Sequence, residues 1–281
     1  MTRRSAVWIA VVPVLALSVT GCGGGGGKGA AHAATRGAKA TPAGSPLPAD
    51  QVVSVVSQKI GETRTLQAAI TLNLSRSGRN AQLIGQLTYQ RRPRAAVEVS
   101  ATTMSVDGKA MEVFDEILIG DDLYISTRQY SDLRGGKPWM KAVLPKLGTH
   151  RGADYDALLN QALRADPSAD MRMLTASKDA RAVGAETVGD VSTTRYHGTY
   201  SVAGALAELG GAQRARMRRL LGKVPDNMEF DLWVDGQRLP RKLTVTSPAS
   251  AAVKTVRSMS YSGFNAPVSL SPPPASKILG D

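Results

Sequence analysis

From Leu66 onward apolar side chains recur at every second position, and this alternation limits the fold more than any other feature of the chain. Leu66, Ala68, Ile70, Leu72 and Leu74 share one parity, with Gln67, Thr71, Asn73 and Ser75 on the other. Successive side chains of a strand point to opposite faces, so the pattern describes a strand with one buried face. Ser77-Gly78-Arg79-Asn80 supplies a turn; Leu83, Gly85, Leu87 and Tyr89 then alternate, followed by Ala95, Val97 and Val99. The rhythm continues through Met104 and Val106, turns at Asp107-Gly108, and resumes with Met111 and Val113. Ile117 and Ile119 lead into Gly120-Asp121-Asp122, Leu123 and Ile125 return, and Trp139-Met140 follow Pro138. It reappears over Val191–Tyr200, in Phe230, Leu232 and Val234 before Asp235-Gly236, in Leu243 and Val245, and over Val253–Tyr261. Apolar alternation separated by short polar turns makes consecutive antiparallel strands. A dinucleotide-binding fold would need a helical crossover after nearly every strand, and that rhythm is missing. One sheet can run through the whole domain, with helices on one of its faces.

Three segments read as helices. Asp50 is expected to cap a short one in which Val52, Val56 and Ile60 share a face and Gly61 permits the exit. Asp154–Ala165 sets Tyr155, Leu158, Leu159, Ala162 and Leu163 along a broad apolar face and is expected to stop before Pro167. The third covers Val202–Leu221, divided or loosened at Gly210-Gly211. Beyond that break Met217, Leu220, Leu221 and Val224 share a face, while Arg214, Arg216, Arg218, Arg219 and Lys223 form a basic remainder. A solvated charged helix and a cationic rim on lipid headgroups both account for that mixture.

The N-terminus adds a location. Arg3 and Arg4 precede 14 mostly apolar residues, Ala6–Val19, too few to cross a bilayer comfortably. The segment reads as a secretory signal. It runs through Leu15-Ala16-Leu17-Ser18-Val19-Thr20-Gly21 to Cys22, the only cysteine of the chain. Val-Thr-Gly before cysteine resembles the bacterial lipobox, and that resemblance implies cleavage before Cys22 and a diacylglyceryl group on its thiol. Each buried methylene contributes about 0.8 kcal/mol, so two acyl chains anchor a protein where one does not. The Gly-, Ala- and Pro-rich residues 22–49, with Gly23–Gly27, Pro42, Pro46 and Pro48, bury too little apolar surface to order and read as a tether. The organisation expected is thus signal 1–21, lipidated tether 22–49, folded domain 50–265 and an irregular Pro-rich tail 266–281.

Charge narrows the partners. Of the net +12, Arg3, Arg4, Lys28, Arg36 and Lys39 lie before residue 50, which leaves +7 for residues 50–281. A basic exported domain is drawn to an anionic leaflet. Nucleic acid, the rival partner for such a charge, does not fit export. With one cysteine no intramolecular disulfide forms, so the core itself must stabilise the domain.

Several segments together resemble the actinobacterial LppX/LprG lipoproteins. They are the lipobox, Gly120-Asp121-Asp122-Leu123-Tyr124-Ile125 leading to Trp139-Met140-Lys141, Gly184-Ala185-Glu186-Thr187-Val188-Gly189 before Thr194-Arg195-Tyr196, and Trp233-Val234-Asp235-Gly236 before Leu239-Pro240-Arg241-Lys242-Leu243. The resemblance covers residues 50–265. It implies an α+β fold like that of the carriers LolA and LolB, in which a strongly curved antiparallel sheet, an incomplete barrel, wraps around helices and leaves an apolar cavity. It also implies an extracytoplasmic, membrane-anchored protein that binds acyl chains of a lipid or glycolipid as carrier or chaperone. Transfer of acyl surface from water into such a pocket is favourable by about 0.8 kcal/mol per methylene. Tyr124, Trp139, Met140, Met217, Phe230 and Trp233 are candidates for lining or supporting the cavity, although each also suits ordinary core packing. Arg216 and Arg219 are the headgroup candidates, on a helix that the Gly210-Gly211 break makes the candidate lid. The competing reading is an envelope protein-interaction or sensory module with a filled core.

Nothing in the sequence argues for catalysis or a cofactor. His32 lies in the tether, His150 and His197 have no neighbouring Cys or His spaced as metal ligands, and no Gly-x-Ser-x-Gly elbow occurs. Asp121-Asp122 belongs most simply to a turn.

Overall fold

The computed structural model describes residues 47–127, 136–143, 167–211, 214 and 225–279. Twelve strands among them form one antiparallel sheet. β1 (Thr65–Arg76), β2 (Arg79–Gln90), β3 (Ala96–Val106), β4 (Lys109–Ala110), β5 (Phe114–Ile119), β6 (Asp122–Thr127) and β7 (Trp139–Val143) make the first half. β8 (Arg181–Val188), β9 (Val191–Ser201), β10 (Asn227–Asp235), β11 (Pro240–Thr246) and β12 (Lys254–Ser262) make the second. The order is β7-β6-β5-β3-β2-β1-β12-β11-β10-β9-β8, with β4 paired to β3 alone. Two meanders therefore meet at β1 and β12. The chain runs outward from the centre to β7, crosses to β8, and returns to the centre.

The expected strongly curved, incomplete barrel is corrected by this order. The sheet wraps around the helices but is neither closed nor strongly curled, and its path ends on two strands that do not pair with each other. The edges explain why. β8 is exposed at nearly every position and offers no apolar face to draw it across to β7. The edge of β7 is met by the tail, where Trp139 bridges Ile278 in parallel and the Leu279 N–H donates to the Trp139 carbonyl at 2.8 Å.

The helices described are α1 (Val52–Glu62), α2 (Pro167–Leu174) and α3 (Val202–Ala207). α1 buries Val52, Val53, Val56 and Ile60, as its spacing predicts. Its N-cap is Gln51 rather than Asp50, and its start is fixed by the Pro48 carbonyl, which accepts from the Gln51 and Val52 N–H groups. Arg91 closes the other end, donating to the carbonyls of Ile60 and Thr63. α2 starts at Pro167, the residue read above as a terminator. At the first helical position proline gives up no intrahelical bond. The helix expected over 154–165 lies outside the described residues. α3 is capped by Ser201, whose Oγ accepts from the Gly204 N–H at 3.0 Å. It ends before Gly210-Gly211, and Arg214 donates to the carbonyls of Leu206, Ala207 and Leu209.

All three helices pack on the same face of the sheet. One apolar cluster joins Val56 and Ile60 of α1, Met171 and Leu174 of α2, and Ala205 and Leu206 of α3 to Leu66, Leu87, Val99, Tyr196, Phe230, Leu232, Leu243 and Met259 of the strands. Leu47 is tied in as well. Its N–H donates to the Tyr196 hydroxyl at 2.7 Å, and that hydroxyl donates back to the Leu47 carbonyl at 3.2 Å. The opposite face carries a second cluster of Ala96, Ile117, Ile119 and Tyr124, against which Trp139, Leu270 and Ile278 pack. The tail thus covers apolar side chains that the strand parity leaves outside.

Candidate functional site

The strand registers divide the inner, helix-covered face into rows. Leu66, Tyr89, Val97, Leu118, Leu123 and Ala142 form the row nearest the start of β1. The next holds Tyr261, Ala68, Leu87, Val99, Glu116, Ile125 and Met140. A third aligns Tyr196, Leu232, Leu243, Met259, Ile70, Gly85 and Ala101. Beyond it come Gly198, Phe230, Val245, Arg257, Leu72, Leu83 and Met104, and lastly Thr255, Leu74, Ala81 and Val106.

Among the described helices, α1 does not reach all of these rows. The 11 residues of α1 span about 16 Å, whereas the 12 of β1 span about 40 Å. Ile60 lies beside Arg91 at the start of β1, and Leu47 lies on Tyr196 in the third row. The distal rows therefore extend past the N-terminal end of α1, and burial follows: Leu66 and Ala68 are sealed, while Ile70, Leu72, Leu74, Leu83, Met104 and Val106 are half-buried. This apolar, incompletely covered stretch of inner face is the candidate functional site.

Arg257 stands at its boundary. Its Nη2 donates to Asp170 Oδ1 of α2 at 2.6 Å, a pair with side chains 19% and 6% exposed. Burial opposes the Arg257 charge, but the Asp170 carboxylate outweighs it and holds the guanidinium firmly protonated. The same burial pushes the hydroxyls of Tyr200 and Tyr261 well above the usual tyrosine range. Tyr261 donates to the Met259 sulfur at 3.6 Å. The polar group thus pins α2 onto the sheet. Another inward ionisable group is Glu116, 1% exposed, whose Oε2 finds no hydrogen-bond partner among the described residues. Burial alone raises its pKa to about 8, so its carboxyl is protonated at neutral pH.

The aromatic and methionine candidates divide between the two faces. Phe230, 1% exposed, belongs to the inner core beside Tyr200, their ring centroids 6.3 Å apart. A Cβ on Gly198 would lie 2.8 Å from the Phe230 ring, so this glycine is what lets the ring lie across β9. Met140 lies on the inner row beside Ile125, half-buried. Tyr124 and Trp139 are on the outer face, in the cluster closed by the tail. Trp233 is also outside: its Nε1 donates to Glu186 at 2.7 Å, with the Arg195 guanidinium 5.4 Å and the Lys242 ammonium 4.6 Å from its ring. Cys22, Met217, Arg216 and Arg219 lie outside the described residues. Glu116, Asp170 and Arg257 were not among the candidates. For Arg257 the signal was present, since it falls between Thr255 and Met259 at inward parity, whereas Glu116 has the parity opposite to Ile117 and Ile119, which read as the inward set.

Among the described residues no group of three or more His, Cys, Asp or Glu side chains gathers to hold a metal ion. His197 Nδ1 lies 3.2 Å from Asp231 Oδ1, which Arg195 also binds at 2.9 Å. Among the described residues no helix is long and apolar enough to cross a membrane.

No family model matches the chain. An uncharacterized 31.2 kDa protein of the rplA-rplJ intergenic region of Streptomyces griseus is 33% identical over 114 residues, 39% of this chain and 37% of that protein. The chain thus spans little more than a third of that relative's length. Among solved structures, LprF from Mycobacterium bovis aligns with a TM-score of 0.50 at 13% identity, over 82% of this chain and 99% of that one. The Mycobacterium tuberculosis lipoprotein LppX aligns at 0.46 and 14% identity, over 79% and 97%. The fold is LprF-like. That likeness is one of structure, at an identity too low to carry residue roles across.

Proposed function

We propose that this protein is a lipoprotein anchored through Cys22 to the extracytoplasmic face of the cell membrane, and that it binds acyl chains of a lipid or glycolipid as a carrier or chaperone. The observation that carries the reading is the half-buried run Ile70, Leu72, Leu74, Leu83, Met104 and Val106, on the inner face beyond the reach of α1. Incompletely covered apolar surface of this kind is what acyl chains bury. The LprF-like fold supports the same reading. The organisation proposed remains signal 1–21, tether 22–49, domain 50–265 and tail 266–281, with Phe230 and Met140 on the cavity side. Native mass spectrometry of the purified protein tests carriage by seeking co-purified lipid; protein that is consistently empty and takes up no acyl probe refutes it. Cys22→Ala should release the protein from membranes and abolish palmitate labelling, and unchanged partition with undiminished labelling refutes the anchor.

The second reading, a docking module for another envelope protein, draws on the densely filled core around α1, α2 and α3. It predicts binding that is indifferent to lipid extraction.

A further inference from the structure

Charge is spread unevenly over the strand tips. At the end where β1 begins, Arg64, Arg91, Arg92, Arg94 and Arg238 are interspersed with Asp121, Asp122, Asp190 and Asp235, and Asp122 and Asp235 pair with Lys141 and Arg241. At the opposite end the β1–β2 turn, the β3–β4 turn and the start of β12 carry Arg76, Arg79, Lys109 and Lys254, all exposed. The acid among these turns is Asp107. Its carboxylate accepts from the Asn80 N–H at 2.8 Å and from Arg79 Nε at 3.0 Å, and these bonds hold its pKa below the usual carboxylate range. The next acid along the chain, Glu112, is half-buried.

Apolar side chains accompany the cations. Of the four large apolar residues exposed among the described residues, two are here, Met111 at 51% and Val256 at 37%. Between the strand ends opens a hollow of about 370 Å³, whose polar lining is Asn73, Ser75, Asn80, Gln82, Ser105 and Lys254. The half-buried Leu72, Met104 and Val106 lie on the other side of the same strands.

We propose that this end of the sheet, the tips of β1–β2 and β3–β4 with the start of β12, docks on an anionic lipid surface. Cations of one sign meet the phosphate layer, Met111 and Val256 enter the boundary below it, and the amides, hydroxyls and Lys254 of the hollow receive headgroup oxygens. An acidic protein surface would match the charge but not the exposed Met111 and Val256 beside it. The inference rests on the placement of the protein at a membrane and not on acyl carriage. Failure to dock leaves carriage to the co-purified lipid, and an empty protein that still docks separates the two.

The test uses the full chain with Cys22→Ala and one new thiol bearing an environment-sensitive fluorophore, at Met111→Cys or, as control, at Val183→Cys, exposed on the far edge strand β8. Phosphatidylglycerol–phosphatidylcholine vesicles should shift the label at 111 to the blue, reversibly with salt, while pure phosphatidylcholine vesicles and the label at 183 show no shift. Lys109→Glu with Lys254→Glu should lower partition to the anionic vesicles on the order of tenfold or more. Both variants keep the N-terminal segment, so partition through that segment alone would leave them equal. Equal partition, a shift at 183 matching that at 111, or no shift at 111 overturns the proposal.

Discussion

Glu116→Gln should remove a pH dependence of stability that a single carboxyl imposes. Glu116 lies on an inner row with Val99 and Ile125 as its strand neighbours, 1% exposed and with Oε2 unpartnered. Burial raises its pKa from 4.5 to about 8. Below the lower value the folded and unfolded chains both hold the proton, and the group does not affect stability. As pH rises the unfolded carboxyl ionises first, so the unfolded chain binds fewer protons and stability falls, until the folded carboxyl ionises near the upper value and the loss levels off. The slope is about 1.4 kcal/mol per pH unit, which amounts to roughly 3 kcal/mol by neutral pH. Gln keeps the shape and the polar atoms but not the titration. Urea denaturation across this range should show wild type losing that amount relative to Glu116→Gln, with the two similar under acid conditions. Parallel profiles would refute the assignment of a buried, uncompensated carboxyl.

Two further substitutions address the inner face. Asp170→Ala strands the Arg257 guanidinium away from water and should cost about 3–5 kcal/mol in thermal or urea unfolding, whereas Asp170→Leu with Arg257→Met should recover most of it; a single-site cost under about 1 kcal/mol would mean the pair is hydrated. Gly198→Ala puts a Cβ 2.8 Å from the Phe230 ring and 3.0 Å from the Ala180 Cα. It should lower stability by about 1–3 kcal/mol, with partial rescue by Phe230→Leu, and a neutral result would show that the ring moves freely.

The antiparallel sheet was legible because each inward strand position reports on the same core. Leu66, Ala68 and Ile70 pair with Tyr89, Leu87 and Gly85 as their parity requires. The parity signal failed where a second layer covers the outside. Ile117 and Ile119 read as the inward set of β5, yet the tail residues Leu270 and Ile278 cover them, and the inward set is Phe114, Glu116 and Leu118. It failed again at β8, whose exposed residues leave no alternation to read. Met111 and Val113 continued the rhythm but are not in a strand, since β4 stops at Ala110. The site was less legible than the sheet, because Trp233 and Tyr124 are aromatic and well buried on the face away from the helices. Aromatic content marks burial, not which side of a two-faced sheet is buried.

What separates the sealed core from the half-covered apolar face here is a mismatch of lengths. A strand rises more than twice as far per residue as a helix, so 11 helical residues cannot cover 12 strand residues. Where α1 and α2 overlap the strands, Leu66, Ala68, Leu87 and Val99 are sealed. Beyond α1, Arg257 holds α2 in place; on β1–β3 Leu72, Leu74, Leu83, Met104 and Val106 are still apolar but half-covered, while Phe230 and Val245 on the other strands stay sealed. Leu47 lies at this boundary, its N–H donating to the Tyr196 hydroxyl, so the described chain enters the fold where the sealed core gives way to the apolar stretch. Removing the Leu47 contact by Tyr196→Phe therefore tests which part of the inner face holds an acyl chain. It should loosen the entry of the chain and leave the distal apolar rows intact, so acyl binding persists if those rows hold the lipid and is lost if the entry segment does.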